Sequence, residues 1–284
     1  MERFDILIVG AGAAGIAAAR AAAKEGCRSI LLVDCGKAMG GILCQCLHRG
    51  FGEDLTGPEY LQQLLADFPE TVSCLLNTTV LELTNEKTAG LSDGRQIRFE
   101  QLIWAAGCRE IPAGALPIAG TRPRGIYTAG QMQAMMNLHG QLPEGPVVIL
   151  GSGDLGLVVA SQLAELGLAL TLVEQKAACG GLPRNRARIA RFRIPVICGT
   201  TVAEVFGDPE LEAVALTNGA KLPCRTLLIA VGLVPEQTLL QPIADVPWLH
   251  LCGNARTIHP MVETVIFEGT QAGIAACRKI RGII

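Results

Sequence analysis

Two glycine fingerprints, each set between an apolar strand and a helix, constrain this chain more than any other feature in it. Gly10-Ala11-Gly12-Ala13-Ala14-Gly15 follows Ile6-Leu7-Ile8-Val9 and precedes the alanine-rich stretch from Ile16 to Ala23. Gly151-Ser152-Gly153-Asp154-Leu155-Gly156 follows Val147-Val148-Ile149-Leu150 and precedes Leu157 to Leu166. In such a turn the first glycine lets the chain leave the strand sharply. The second removes a side chain so that backbone can approach a pyrophosphate, and the third lets helix and strand pack closely. The helix N-terminus then offers free N–H groups and a positive dipole end to phosphate.

Each unit also carries an acid where a ribose would need one. Ile30-Leu31-Leu32-Val33 ends in Asp34, and Leu170-Thr171-Leu172-Val173 ends in Glu174. A lone Gly-x-Gly-x-x-Gly is weak, because glycines open many turns. Two copies, each with strand, helix and acid in place, point to two dinucleotide sites, and two electron carriers on one polypeptide imply redox chemistry. The plainer alternative is a pair of glycine-rich turns in an unrelated α/β sheet.

A chain of 284 residues is comfortable for two domains, and 50% hydrophobic residues suit parallel sheets buried on both faces. Net charge is −2 with no basic run, and aromatics are 4%, which argues against nucleic acid. Asp5 and the early glycines speak against reading the N-terminal apolar stretch as a signal peptide. No stretch is long and apolar enough to span a bilayer, so a cytoplasmic protein is expected. Most of the 11 cysteines read as small core residues, among them Cys27, Cys74, Cys198, Cys224 and Cys277.

The segment order predicts a helix over 58–68 and strands at 72–76, 80–83, 96–99 and 101–106, with Ser92-Asp93-Gly94 turning 80–83 into 96–99 as a hairpin. Prolines 112, 117 and 123 mark the exit from the first domain. After the second fingerprint come strands at 195–198, 202–205, 214–216 and 226–231, a return around 235–247, and a helix over 262–280. The expected fold is α/β, with two Rossmann-like three-layer ββα dinucleotide-binding domains, the second inserted in the first. Residues 1–108 and 246–284 form the outer domain, and 109–245 the inner.

This arrangement resembles the pyridine nucleotide-disulfide oxidoreductase superfamily in its short, thioredoxin-reductase-like form. The matching elements are the two fingerprints with their acids, Trp104-Ala105-Ala106-Gly107, Ala230-Val231-Gly232 with Pro235, and Leu251-Cys252-Gly253-Asn254. Gly40-Gly41-Ile42-Leu43 with Cys46, Leu55 to Tyr60, Gly107 to Glu110, Gly120 to Pro123 with Gly125 to Gly130, and Gly151-Ser152-Gly153-Asp154 carry a narrower likeness. It is to the FAD-dependent oxidoreductases that accompany anaerobic glycerol-3-phosphate dehydrogenase-like, opine oxidase and hydrogen cyanide synthase flavoproteins. Some of these carry a C-terminal iron–sulfur extension, which is not expected here.

The resemblance implies FAD on the outer domain and NAD(P)H on the inner. It assigns FAD to Gly10, Gly12, Ala13, Ala14, Gly15, Asp34, Cys35, Gly41, Ile42, Val80, Ala106, Gly107, Gly253, Asn254, His259 and Met261. It assigns NAD to Gly151, Ser152, Gly153, Asp154, Leu155, Gly156, Glu174 and Gly232. Asn254 stands where the family has Asp and brings no charge. Glu174 favours NADH, since a 2′-phosphate beside it would meet a like charge, although Lys176 and Arg184 soften that. A non-redox nucleotide such as ATP would also suit the second turn.

The thioredoxin-reductase Cys-x-x-Cys is missing from 127–136, while Cys44-Gln45-Cys46 falls near the implied flavin ring. Three readings stand open: Cys44 or Cys46 redox-active with FAD, both inert in a helix, or both joined by His48 as metal ligands. No metal site is expected. Arg109 and Glu110 read as an interdomain pair. Function is expected to be electron transfer between NAD(P)H and an acceptor, through a partner flavoprotein dehydrogenase subunit or a small electron-transfer protein, in a homo- or hetero-oligomer. The alternatives are a thiol or peroxide reductase using Cys44 or Cys46, and a non-catalytic scaffold subunit.

Overall fold

The structure, a computed structural model, describes residues 1–243 and 246–283. It divides into two compact units, Met1–Arg109 with Pro235–Ile284, and Glu110–Val234.

The first unit opens with β1 (Glu2–Val9), α1 (Ala13–Lys24), β2 (Ile30–Val33), α2 (Gly57–Leu65), β3 (Val72–Leu75), β4 (Val80–Leu83), β5 (Thr88–Leu91) and β6 (Gln96–Trp104). Parallel β1 is central, with Ile6 to Val9 opposite Ile30 to Val33 on one side and opposite Gln101 to Trp104 on the other. Its alternating side chains serve two cores. Ile6 and Ile8 face Ala14, Ala18, Ala272 and Ala276, whereas Leu7 and Val9 face Val80, Leu91, Phe99 and Trp248. Helices therefore cover one face of the sheet and the β4–β5–β6 meander the other, which makes the three-layer unit. Alanine and glycine on the helices have a packing reason: a Cβ on Gly269 would stand 2.2 Å from the Ala14 carbonyl oxygen, and one on Gly273 2.2 Å from that of Ala18.

The chain passes through β7 (Cys108–Glu110) into the second unit, which comprises β8 (Ala119–Gly120), β9 (Ile126–Thr128), α3 (Ala129–His139), β10 (Val147–Leu150), α4 (Asp154–Glu165), β11 (Leu170–Glu174), α5 (Pro183–Arg191), β12 (Val196–Cys198), β13 (Val202–Phe206), β14 (Ala213–Leu216), β15 (Lys221–Pro223) and β16 (Thr226–Ile229). The parallel sheet β12-β11-β10-β16-β9 repeats the plan of the first unit. Ile149 and Leu172 face the helices, and Val148, Leu150 and Val173 face the β13–β14–β15 meander. After β17 (Leu233–Pro235) the chain returns to the first unit, where β18 (Leu249–Leu251) pairs in parallel with β6 and α6 (Val262–Ile280) closes the helix layer.

The structure corrects several expectations. Ser92-Asp93-Gly94 joins β5, not β4, to β6, and the expected strands at 96–99 and 101–106 are one strand, Gln96–Trp104. The return falls within the expected 235–247 stretch, but the boundary between the units lies at Pro235 rather than 246, because Trp104 Nε1 donates to the Glu236 carbonyl at 2.6 Å and Leu240 and Ile243 enter the first unit's core. Residues 244 and 245, beside the expected boundary, lie outside the described set. Cys74 is exposed on the edge strand β3, and Cys198 is half-buried.

Candidate functional site

Each fingerprint closes a turn that tolerates no side chain at two positions and leaves room at a third. Gly10 has φ +103°, and a Cβ there would stand 2.3 Å from the Ala105 carbonyl oxygen. A Cβ on Gly15 would stand 1.8 Å from the Gly10 carbonyl oxygen, so α1 seats on the turn only without one. The Cβ direction of Gly12 meets nothing within 4 Å, and Gly41, at φ +53°, lies across from it with its Cβ direction 3.2 Å from the Gly12 Cα. The first turn of α1, with Ala13 and Ala14, carries no acidic residue and no side-chain cap. Uncapped N–H groups and an uncompensated dipole end thus border an open cradle, which fits a diphosphate.

The second unit repeats this geometry. A Cβ on Gly151 would stand 2.3 Å from the Ala230 carbonyl oxygen, one on Gly156 2.4 Å from that of Gly151, and one on Gly153 would meet nothing within 4 Å. Here, however, Asp154 occupies the first turn of α4. Its Oδ1 accepts from Leu182 N and Asn185 Nδ2, both at 2.7 Å.

The two acids are gripped alike. Asp34 accepts the Ala11 N–H on Oδ2 and the Gly36 N–H on Oδ1, both at 2.6 Å. Glu174 accepts the Ser152 N–H on Oε2 and the Lys176 N–H on Oε1, both at 2.9 Å. Each carboxylate fastens its strand end to the glycine turn, and its remaining lone pairs are what a ribose hydroxyl can use. Ser152 Oγ adds a 2.5 Å bond to Glu174 and accepts from Gly180 N at 2.8 Å. Burial raises the Glu174 carboxyl, but the Ser152 and Lys176 donors with the Lys176 charge outweigh it and hold the group below its ordinary value. Sequence reasoning missed this clamp, since only the acid's position was visible.

The remaining first-unit residues lie as follows. Val80 is buried in β4, and Ala106 packs on the same core. Gly107 has φ +74° with open space at its Cβ direction. Cys35 and Ile42 are exposed. Met261 is exposed at the N-cap of α6. Asn254 Oδ1 accepts the His259 N–H at 2.9 Å, and Asn254 Nδ2 approaches Cys108 Sγ at 3.9 Å. In the second unit, Gly232 has φ +154° and faces Ile111, and Leu155 packs with the helix-side core.

Cys44 lies in the 3-10 turn Gly41–Gln45 and Cys46 just after it, rather than in an α-helix. Burial pushes the Cys46 thiol up to about 12 and also raises Cys44, whose Sγ donates to the Met39 carbonyl at 3.5 Å. Both thiols are therefore held protonated at neutral pH. Among the described residues no group of His, Cys, Asp and Glu gathers as a metal site, around His48 or elsewhere. Arg109 and Glu110 do not pair with each other. Arg109 Nε stands 3.4 Å from Glu236 Oε2. Glu110 accepts from Thr128 Oγ1 and, at 2.8 Å, from Gly130 N, so it caps α3.

Residues 4–249 match the family described as pyridine nucleotide-disulphide oxidoreductase. The chain belongs to that family. Its members are FAD-dependent oxidoreductases that act with pyridine nucleotides, so the expected family and enzyme class are borne out. The chain is 28% identical over 273 residues to the HcnB subunit of hydrogen cyanide synthase from Pseudomonas protegens (strain DSM 19095 / LMG 27888 / CFBP 6595 / CHA0), covering 83% of this chain and 58% of that protein. It is 28% identical over 277 residues to an opine oxidase subunit of Agrobacterium tumefaciens (strain Ach5), covering 83% and 54% respectively. It thus spans little more than half the length of either relative. Thioredoxin reductase of T. acidophilum matches in fold with a TM-score of 0.83 at 19% identity, covering 98% of this chain and 99% of that one. No helix among the described residues is long and apolar enough to cross a membrane.

Proposed function

We propose that the chain holds FAD on the Gly10–Gly15 turn and NAD(H) on the Gly151–Gly156 turn, and that it passes electrons between NADH and an acceptor supplied by a partner flavoprotein dehydrogenase subunit. The observation that carries this is the open cradle at Gly12, bordered by Gly41 and by a helix start with no acid. Bound flavin would supply hydride acceptance and onward electron transfer. The chain's part is to bind and orient. The α1 N–H groups receive the diphosphate, Asp34 keeps the turn closed and accepts from a ribose hydroxyl, and Asn254 and His259 order the loop toward the flavin end.

NADH is favoured over NADPH because the ionised Glu174 is buried at the strand end, where a 2′-phosphate would be repelled. The partner role rests on likeness to proteins that are subunits of hydrogen cyanide synthase and opine oxidase. Mixing FAD-loaded protein anaerobically with NADH or NADPH, while following flavin absorbance, tests the reading. NADH is expected to bleach the flavin faster than NADPH, and protein that takes up no FAD would overturn it. A second reading, a nucleotide-binding subunit without hydride transfer, is favoured by Asp154, whose negative charge in the first turn of α4 weakens the second anion site. It predicts bound flavin that NADH leaves oxidised.

A further inference from the structure

The loop from Gly253 to His259 is held by a carboxylate that no sequence motif singles out. Glu268, on α6, accepts the Gly253 N–H on Oε2 at 2.9 Å, and the same oxygen stands 3.2 Å from His259 Nε2. Its Oε1 accepts from Arg256 Nη1 at 3.2 Å. The Glu268 side chain is 15% exposed and that of His259 14%, so this contact is largely shielded from water. One carboxylate thereby fastens the beginning and middle of the loop by hydrogen bonds and stands beside the His259 ring at its end. The His259 N–H returns to Asn254 Oδ1, so the Asn254 amide is oriented from the same anchor.

The anchor stands against the cradle itself. A Cβ on Gly253 would lie 2.9 Å from the Ala14 Cβ, and one on Gly269, the residue after Glu268, would lie 2.2 Å from the Ala14 carbonyl oxygen. Ala14 belongs to the first turn of α1. Loop, α6 and the start of α1 therefore meet at one point in the first unit. The Gly253 N–H is taken by Glu268 Oε2.

We propose that Glu268 is a positioning residue for the flavin dinucleotide: it presses the 253–259 loop onto the first turn of α1 and so sets the Asn254 amide beside the cradle. This rests on the reading that the first unit takes FAD. Replacing Glu268 by alanine leaves a shielded N–H without its acceptor and frees Arg256. Replacing it by glutamine keeps an acceptor for Gly253 and removes the charge that draws Arg256.

The test uses the full chain, stripped of flavin and titrated with FAD. Affinity is read by flavin fluorescence quenching, the visible circular dichroism of bound flavin by spectroscopy, and the melting temperature of the apo protein in parallel. Glu268→Ala is expected to weaken FAD by about tenfold and to alter the flavin dichroism at saturation, whereas Glu268→Gln recovers most of the affinity. Should the alanine variant fail to fold, Arg256→Ala, at an exposed residue, is expected to weaken FAD less than the alanine variant would but to shift the dichroism the same way. Wild-type protein that binds FAD while every folded variant matches it in affinity and dichroism overturns the inference alone. Equal loss of melting temperature with unchanged FAD affinity assigns Glu268 a structural role only and also overturns it. Wild-type protein that binds no FAD overturns the functional reading first, and this inference with it.

Discussion

The two units use one plan with two differences at the turn. Both close a glycine turn against a neighbouring strand end, both lock it with an acid that takes two backbone N–H groups, and both leave the middle glycine facing open space. In the first unit the helix start is uncharged. In the second it carries Asp154, and the clamp gains Ser152 Oγ and Gly180 N. The first cradle is thus the stronger anion site, and the second the more elaborately braced turn. A tightly held cofactor suits the first and an exchangeable nucleotide the second.

The comparison can be broken most decisively at the third glycines. Gly15→Val and Gly156→Val each place a Cβ inside van der Waals contact with the preceding turn, at 1.8 Å and 2.4 Å from a carbonyl oxygen. Each is expected to destabilise its unit by more than about 3 kcal/mol, with Gly15→Val the worse, as measured by chemical denaturation. Next are the middle glycines, whose φ of −76° at Gly12 and −66° at Gly153 any residue accepts. Gly12→Ala should change apo stability by less than about 0.5 kcal/mol. Its added methyl fills the cradle, and FAD affinity should fall by about tenfold or more.

Glu174→Gln should destabilise the second unit by about 1–2 kcal/mol at pH 7. Because the Glu174 carboxyl is held below its ordinary value in the folded protein, its stabilisation is present above the unfolded-state value of about 4.3 and is lost as pH falls through the lower, folded one. The gap between wild type and variant should therefore be full at neutral pH and narrow only in acid, which denaturation across a pH series checks. The smallest effect is at Asp154. Removing its charge as Asp154→Asn, with the Leu182 N–H acceptor kept, should tighten NADH about two- to fivefold in equilibrium titration.

Much of this fold was legible because its signals are local. Val9 and Leu150 end continuous apolar runs, the glycines follow at once, and Asp34 and Glu174 close strands that are apolar but for Thr171. What escaped lacked such a signal. The strand Thr88–Leu91 is half small residues, and its place is set by pairing with β4 and β6 rather than by its own pattern. Helix α5 buries only Asn185 and Ile189 among its arginines, so no apolar stripe announces it. The boundary at Pro235 depends on Trp104 reaching the Glu236 carbonyl across 132 positions of chain. The site shows the same division. The glycines and acids could be named from spacing, whereas Ser152 bridging to Gly180, and Glu268 holding Gly253, arise only when distant segments meet.

The central claim is that each cradle holds its own dinucleotide, FAD on the first and pyridine nucleotide on the second. Measuring the flavin retained per chain after reconstitution of Gly12→Ala and Gly153→Ala beside the wild type tests it most directly. The account predicts equimolar FAD in wild type and Gly153→Ala, and loss of FAD in Gly12→Ala with its apo stability intact. Flavin retained equally by Gly12→Ala, or lost through Gly153→Ala, would contradict it.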